Sequence, residues 1–220
     1  MNTLLIDTSN QPMSIALMKD EEVLAAKTTN NKTNHSVQLM PGIQELFTQC
    51  DLIKENIDAI IVAQGPGSYT GVRIGVTVAK TLAYALNVRL FGVSSLEALA
   101  ATTHQTNQLI VPLFDARRDA VYAGVYQHQH GQLKTIINDG YITIDELLTQ
   151  LHSLKEPYIF IGQDAKKLSA RLDGPIEENL PDAAVMLDLI KQPANIYTFT
   201  PNYLKLSEAE RNWLNQQQNN

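Results

Sequence analysis

The chain has 220 residues, 44% of them hydrophobic, which allows one large domain or two small ones. A net charge of −6 without a Lys/Arg cluster argues against tight nucleic-acid binding by this chain alone, because such binding needs a basic footprint. One cysteine, Cys50, excludes an internal disulfide; with no signal-peptide pattern and no apolar run of about 18–20 residues, a soluble cytoplasmic protein without membrane association is expected.

Thr3-Leu4-Leu5-Ile6 reads as a short buried strand, followed by turn residues from Asp7 to Pro12. Ser14 to Met18 and Val23 to Thr28 supply two further strands, so an antiparallel meander is predicted at the N-terminus. Leu39, Ile43, Leu46 and Phe47 then fall on one helical face, with Pro41 inside the pattern, so the helix either kinks there or starts later. Ala59 to Ala63 is an apolar strand that runs into Gly65-Pro66-Gly67-Ser68-Tyr69-Thr70-Gly71. A nearly uncharged helix, Val72 to Leu86, opens from that turn, with Ser68 or Thr70 as its cap. Val88 to Val93 is the next strand, and Ser94 or Ser95 caps a short helix through Leu96 and Leu99.

The order then repeats. Leu109 to Phe114 is a strand leading into Asp115-Ala116-Arg117-Arg118-Asp119, Ala120 to Tyr126 returns, and Lys134 to Ile137 is a third strand. A turn is predicted at Gln127–Gly131, a helix from Ile144 or Asp145 to Leu151, and a strand at Tyr158–Ile161. Two similar α/β halves follow from this pattern, with domains at 1–103 and 104–203. A C-terminal helix at about 204–216 is expected to pack back on the first half, and the Gln/Asn-rich end after Trp213 to be frayed.

The glycine turn has two readings. A free helix N-terminus attracts anions, which favours a phosphate cradle; a sharp packing elbow needs the same residues. In phosphate-handling folds of two such halves, an aspartate ends the first strand of each half and small residues follow it. Asp7-Thr8-Ser9 and Asp115-Ala116-Arg117 occupy those places, but neither has a glycine in the next three positions, and Arg117 and Arg118 crowd the second loop. A degenerate nucleotide cleft at Asp7, Thr8, Ser9, Asp115 and Arg117 is the resulting expectation. Arg117 and Arg118 would pair with nearby acids, including Asp119, or with a partner's carboxylates. The histidines form no ligand set: the position four after His35 is Leu39, and His128 and His130 flank a predicted turn. Cys50 has no activating base, and Ser68 lacks the G-x-S-x-G context of a nucleophile. Gly71, Gly75, Ala79 and Ala83 recur every fourth residue as a stripe of small side chains. Glycine inside a helix costs about 1 kcal/mol against alanine, so the stripe needs a close neighbour. That neighbour is either the chain's own sheet or a helix of another subunit; the second is preferred.

Taken together, GPGSYTGVRIG at 65–75, Asp7-Thr8-Ser9, and His35-Ser36 followed by Leu39-Met40-Pro41 resemble the TsaB family. So do Gly92-Val93-Ser94-Ser95-Leu96, Asp115 to Arg118 with Val121-Tyr122, and Pro201-x-Tyr203-Leu204; Lys205 stands where arginine is usual. The resemblance implies two actin-like (ASKHA, ribonuclease H-like) halves with mixed sheets flanked by helices. It implies a non-catalytic scaffold or regulatory subunit working with TsaD and TsaE. That machinery N6-threonylcarbamoylates the adenosine 3′ of the anticodon in tRNAs reading codons that begin with A. Catalysis, ATP/ADP and metal would belong to the partner subunits, the metal site using a histidine pair that is His35 and Leu39 here. This chain would have no catalytic or metal residue and no cofactor, and would meet tRNA only through the complex. The resemblance also places the TsaD interface on the first two helices, at His35, Leu39, Ile43, Gly71, Val72, Gly75, Val76, Ala79 and Ala83, with a homodimer through the same face when TsaD is absent. The competing expectation is an enzyme acting alone, either a nucleotide-dependent kinase-like protein or a peptidase.

Overall fold

The computed structural model describes residues 1–30, 34–104 and 107–205. The expected C-terminal helix and the expected fraying after Trp213 fall outside the described residues from 206 onward. β1 (Asn2–Asp7), β2 (Met13–Lys19) and β3 (Glu22–Thr29) form the predicted antiparallel meander. β1 and β2 are buried along nearly their whole length, as strands covered on both faces must be. After α1 (His35–Gln49), β4 (Ala59–Ala63) adds parallel to β1, and β5 (Arg89–Val93) parallel to β4. α2 (Tyr69–Leu86) links β4 to β5, and α3 (Ser95–Ala100) follows β5. The first sheet therefore has the order β3-β2-β1-β4-β5.

The second sheet contains β6 (Leu109–Asp115), β7 (Ala120–Gln129), β8 (Gln132–Thr143), β9 (Tyr158–Ile161) and β10 (Ile176–Glu177). Its helices are α4 (Ile144–Leu154) and α5 (Gln163–Lys167). The order is β10-β9-β6-β7-β8. Counted from β6, that is three-two-one-four-five, the same arrangement as in the first sheet. The protein is thus built from two actin-like α/β halves.

Local chemistry explains the boundaries. Ser68 caps α2 by accepting the Gly71 N–H, and Asn87, in the left-handed region at φ 54°, ends it. Ser94 caps α3 by accepting from Leu96 and Glu97. Thr143 and Glu146 form a capping box at the start of α4. α1 runs through Pro41, whose missing N–H would have bonded the carbonyl of Val37, an exposed residue. His128 lies in β7 with its Nε2 3.0 Å from the Thr103 carbonyl, so the tight turn is displaced to His130–Gly131. The extended ladder between β7 and β8 moves the turn beyond the Gln127 start read from sequence.

α1 and α2 cover one face of the first sheet through Leu39, Ile43, Leu46, Val72 and Val76 against Leu4, Ile6, Ile15, Ile60 and Val62. The opposite face is covered from the far end of the chain. There a 3₁₀ segment, Ala183–Leu189, buries Ala183 and Met186 against Leu5, Ala16 and Ile61. Residues 183–202 thus return to the first half: the Ala183 N–H bonds Ser14 Oγ (2.9 Å), Ala194 bonds the Leu90 carbonyl (2.7 Å), and Asn202 bonds the Gln64 carbonyl (2.7 Å). α3 joins the halves by packing Leu96, Leu99 and Ala100 on Ile110, Phe114, Tyr126 and Ile161 of the second sheet.

Candidate functional site

The first hairpin is pressed onto the glycine elbow. A Cβ on Gly67 would stand 2.1 Å from the Ser9 carbonyl oxygen, on Gly71 2.2 Å from the Thr8 carbonyl oxygen, and on Gly75 2.4 Å from Thr8 Oγ1. No real Cβ makes such contacts. Hydrogen bonds hold the approach: Thr8 Oγ1 donates to the Gly71 carbonyl (2.8 Å), and the Ser68 N–H donates to the Ser9 carbonyl (2.7 Å). The small-residue stripe therefore meets the chain's own hairpin and sheet. Gly71, Val72, Gly75, Val76, Ala79 and Ala83 are buried there, with Leu39 and Ile43 in the same core. This corrects the expectation that the stripe is offered to another subunit, because the monomer already uses it. Of that set only His35 is partly exposed, and its Nε2 lies 2.8 Å from the Asn10 carbonyl.

Of the two strand-end aspartates only Asp115 lines the polar cleft of about 520 Å³ between the halves; Asp7 is buried behind it at 3% exposure. Asn10, Thr70 and Tyr69 line one side, and Asp115, Arg117, Tyr122 and Lys167 the other. Four backbone donors of the two hairpins are already engaged. Ser9 N–H donates to Asp7 Oδ1 and Gln11 N–H to Asn10 Oδ1, both at 2.8 Å. Asp115 N–H donates to Asp164 Oδ2 (3.1 Å) and Arg117 N–H to Asp115 Oδ1 (2.7 Å). Asn10 Nδ2 also donates to Asp164 Oδ2 (2.9 Å), tying the two halves across the cleft floor, while Lys167 pairs with Asp164 Oδ1 (2.6 Å). Burial pushes the Asp7 carboxyl above its ordinary pKa, against the hydrogen bonds from Ser9 and the charge of His35. Arg117, Arg118 and Asp119 occupy three successive left-handed conformations at φ 64°, 56° and 55°. Arg171 donates to Asp119 Oδ1 (2.7 Å).

Among the described residues no group of three or more His, Cys, Asp or Glu side chains is placed to hold a metal ion. Leu39, four residues after His35, points into the core at 1% exposure. His35 therefore has no second imidazole beside it, and these residues do not fit the histidine-pair metal site.

Two features were not anticipated. The first is an apolar groove of about 490 Å³ between α1, α2 and the segment after α1, lined by Met40, Phe47, Ile53, Ile57, Leu82 and Leu86. Val37, Met40 and Ile53 stand exposed beside or within it, at 63%, 47% and 61%. On α2 the groove residues Leu82 and Leu86 flank Ala79 and Ala83, so the spacing that marks the stripe does not separate the groove from it. The second is a buried polar cluster where the halves meet. Ser94 Oγ and Tyr126 OH both donate to the Asp139 carboxylate, and Glu97 lies beside it with Lys191 3.6 Å away. Nothing in the sequence around Asp139 marks it.

Comparison with known proteins agrees with the geometry. A family model described as TsaD, tRNA N6-adenosine threonylcarbamoyltransferase, matches residues 22–213. The Bacillus subtilis tRNA threonylcarbamoyladenosine biosynthesis protein TsaB is 39% identical over 99% of this chain and 100% of its own length. The Escherichia coli protein of the same description is 33% identical over 58% of this chain and 55% of its own. Among solved structures, YeaZ from Pseudomonas aeruginosa superposes with a TM-score of 0.81 at 25% identity, covering 92% of this chain and 99% of that one. A second Pseudomonas aeruginosa structure, described as similar to peptidase YEAZ, gives 0.82 at the same identity. With a relative at 39% identity matched end to end on this two-half fold, the chain belongs to the TsaB family.

Proposed function

We propose that this chain is a non-catalytic scaffold and regulatory subunit of the tRNA threonylcarbamoyl-transfer complex, acting in the cytoplasm. It docks on TsaD and, with TsaE, supports N6-threonylcarbamoylation of the adenosine 3′ of the anticodon. The observation that carries the non-catalytic half of this reading is the self-satisfied cleft. The N–H groups of Ser9, Gln11, Asp115 and Arg117 are all spent on side chains of the same protein. A phosphate would have to displace those bonds and would gain little by doing so. The ATP and metal chemistry is accordingly assigned to the partner subunits, and tRNA reaches this chain only through the complex.

The docking surface in this reading is the apolar groove between α1, α2 and the segment after α1, around Met40, Ile53 and Leu82, with the exposed Val37 on α1, in place of the buried stripe. Exposed apolar side chains beside a groove are what a partner helix covers. The same face would pair two copies of the chain when TsaD is absent. The test is co-purification of the full chain with TsaD and TsaE, followed by a modification assay with and without it. Modification at an undiminished rate without this chain, or failure to capture TsaD, would overturn the proposal.

A further inference from the structure

The segment just before residue 206 crosses from one half to the other at the edge of the polar cleft. Tyr203 stacks on Tyr69 of α2, with ring centroids 4.8 Å apart and planes 25° from parallel. Arg73 adds to that stack, its guanidinium carbon 4.5 Å from the Tyr69 ring centre and its Nε donating to Tyr203 OH (3.4 Å). Two residues later, Lys205 Nζ donates to the Ala116 carbonyl (3.3 Å) and sits 4.5 Å from the Tyr141 ring centre. Tyr69 lines the first-half wall of the cleft and Ala116 the second-half wall. Only about 7 Å of backbone separates the two residues, so through their side chains one short stretch of chain ties the two walls together.

We infer that Tyr203 and Lys205 form a latch that sets how far the polar cleft opens. The floor of the cleft has its own tie, Asn10 to Asp164, and the latch is the corresponding tie at the rim. The two ties differ in kind. Asp164 is buried, whereas Tyr69 and Tyr203 are 49% and 39% exposed, so the rim contacts are of the weaker, solvent-screened sort. A rim held by one aromatic stack and one cation–π contact releases without disturbing either core. Since the strap from 183 to 202 is anchored separately on Ser14, Leu90 and Gln64, release is confined to the last few described residues. The polar cleft is thereby gated by Tyr203 and Lys205.

Site-resolved hydrogen exchange on the full chain tests this inference with the variants Tyr203→Ala, Lys205→Ala and Tyr203→Phe. Each alanine variant is expected to speed exchange about tenfold at the cleft amides of Gln11, Asp115 and Arg117, with the core amides of Leu5 and Ile61 unchanged. Tyr203→Phe keeps the stack and is expected to exchange like the parent. Unchanged cleft rates in either alanine variant overturn the latch, because a bridge needs both anchors. Faster exchange that extends to Leu5 and Ile61 overturns it as well, since the residues would then support the fold as a whole. Tyr203→Phe behaving like Tyr203→Ala also overturns it.

Discussion

Thr8 Oγ1 occupies the space that a side chain on Gly75 would need, 2.4 Å from where its Cβ would stand. The hydroxyl cannot simply turn away, because it donates to the Gly71 carbonyl at 2.8 Å. Gly75→Ala therefore either breaks that bond or pushes α2 off β1. The expected loss is about 1–3 kcal/mol, the usual range for overpacking a filled core. Urea denaturation measures it, and an unchanged midpoint would show that the contact has slack. Gly75→Leu, which a partner-facing stripe would make an interface probe, instead reports on folding.

Partner binding is better probed on the outer face. Met40→Asp replaces a side chain that is 47% exposed and lines the groove, so the isolated chain should lose only about 1 kcal/mol and stay folded. Capture of TsaD should fall at least tenfold, because burying an unpaired carboxylate in an apolar contact costs more than 1.4 kcal/mol, roughly one decade of affinity. A variant that folds normally and still captures TsaD at parental levels would move the interface elsewhere.

The fold was legible because each signal was local and repeated. Apolar runs such as Ala59–Ala63, turn residues after Asp7, and caps at Ser68 and Ser94 each act within a few residues, and the second half repeated the pattern of the first. The strap at 183–202 was not legible, since its bonds to Ser14, Leu90 and Gln64 join residues more than a hundred positions apart. The glycine-alanine stripe illustrates a different limit. Its spacing correctly implied a close backbone neighbour, but periodicity carries no information on whether that neighbour is a sheet or a second chain. Missing glycines after Asp7 and Asp115 pointed to a spoiled cradle. The tie between the halves at that place, Asn10 to Asp164, joins residues far apart in sequence that meet only in the folded chain.

The proposed non-catalytic reading makes a direct prediction about nucleotides. Calorimetric titration of the isolated chain with millimolar ATP should give no saturable heat. Binding would require the amides of Ser9 and Asp115 to abandon Asp7 and Asp164, each such bond being worth about 0.5–1.5 kcal/mol or more to a charged acceptor. A saturable isotherm would restore the kinase-like reading. If Asp164→Ala alone gained such binding, Asp164 would be identified as the group that blocks the cleft.

The buried cluster at the junction of the halves predicts a pH dependence of known sign. Burial raises the pKa of Asp139 above its ordinary 3.8, against the hydroxyl donors of Ser94 and Tyr126 and the charge of Lys191. Glu97 is raised for the same first reason, with Lys191 opposing and Asp139 reinforcing the shift. A carboxyl whose folded pKa lies above its unfolded value binds its proton more tightly in the native state. The stability this supplies is complete below about 3.8 and is lost as pH rises through the folded value. Asp139→Asn cannot titrate, so the stability of the parent relative to this variant should decline as pH is raised from 4 toward neutrality. Paired urea curves at each pH cancel the contribution of distant carboxylates and report Asp139 together with its effect on Glu97. A parent that gains on Asp139→Asn with rising pH would mean that the Ser94 and Tyr126 hydroxyls outweigh burial, and that Asp139 joins the halves as a stabilised anion.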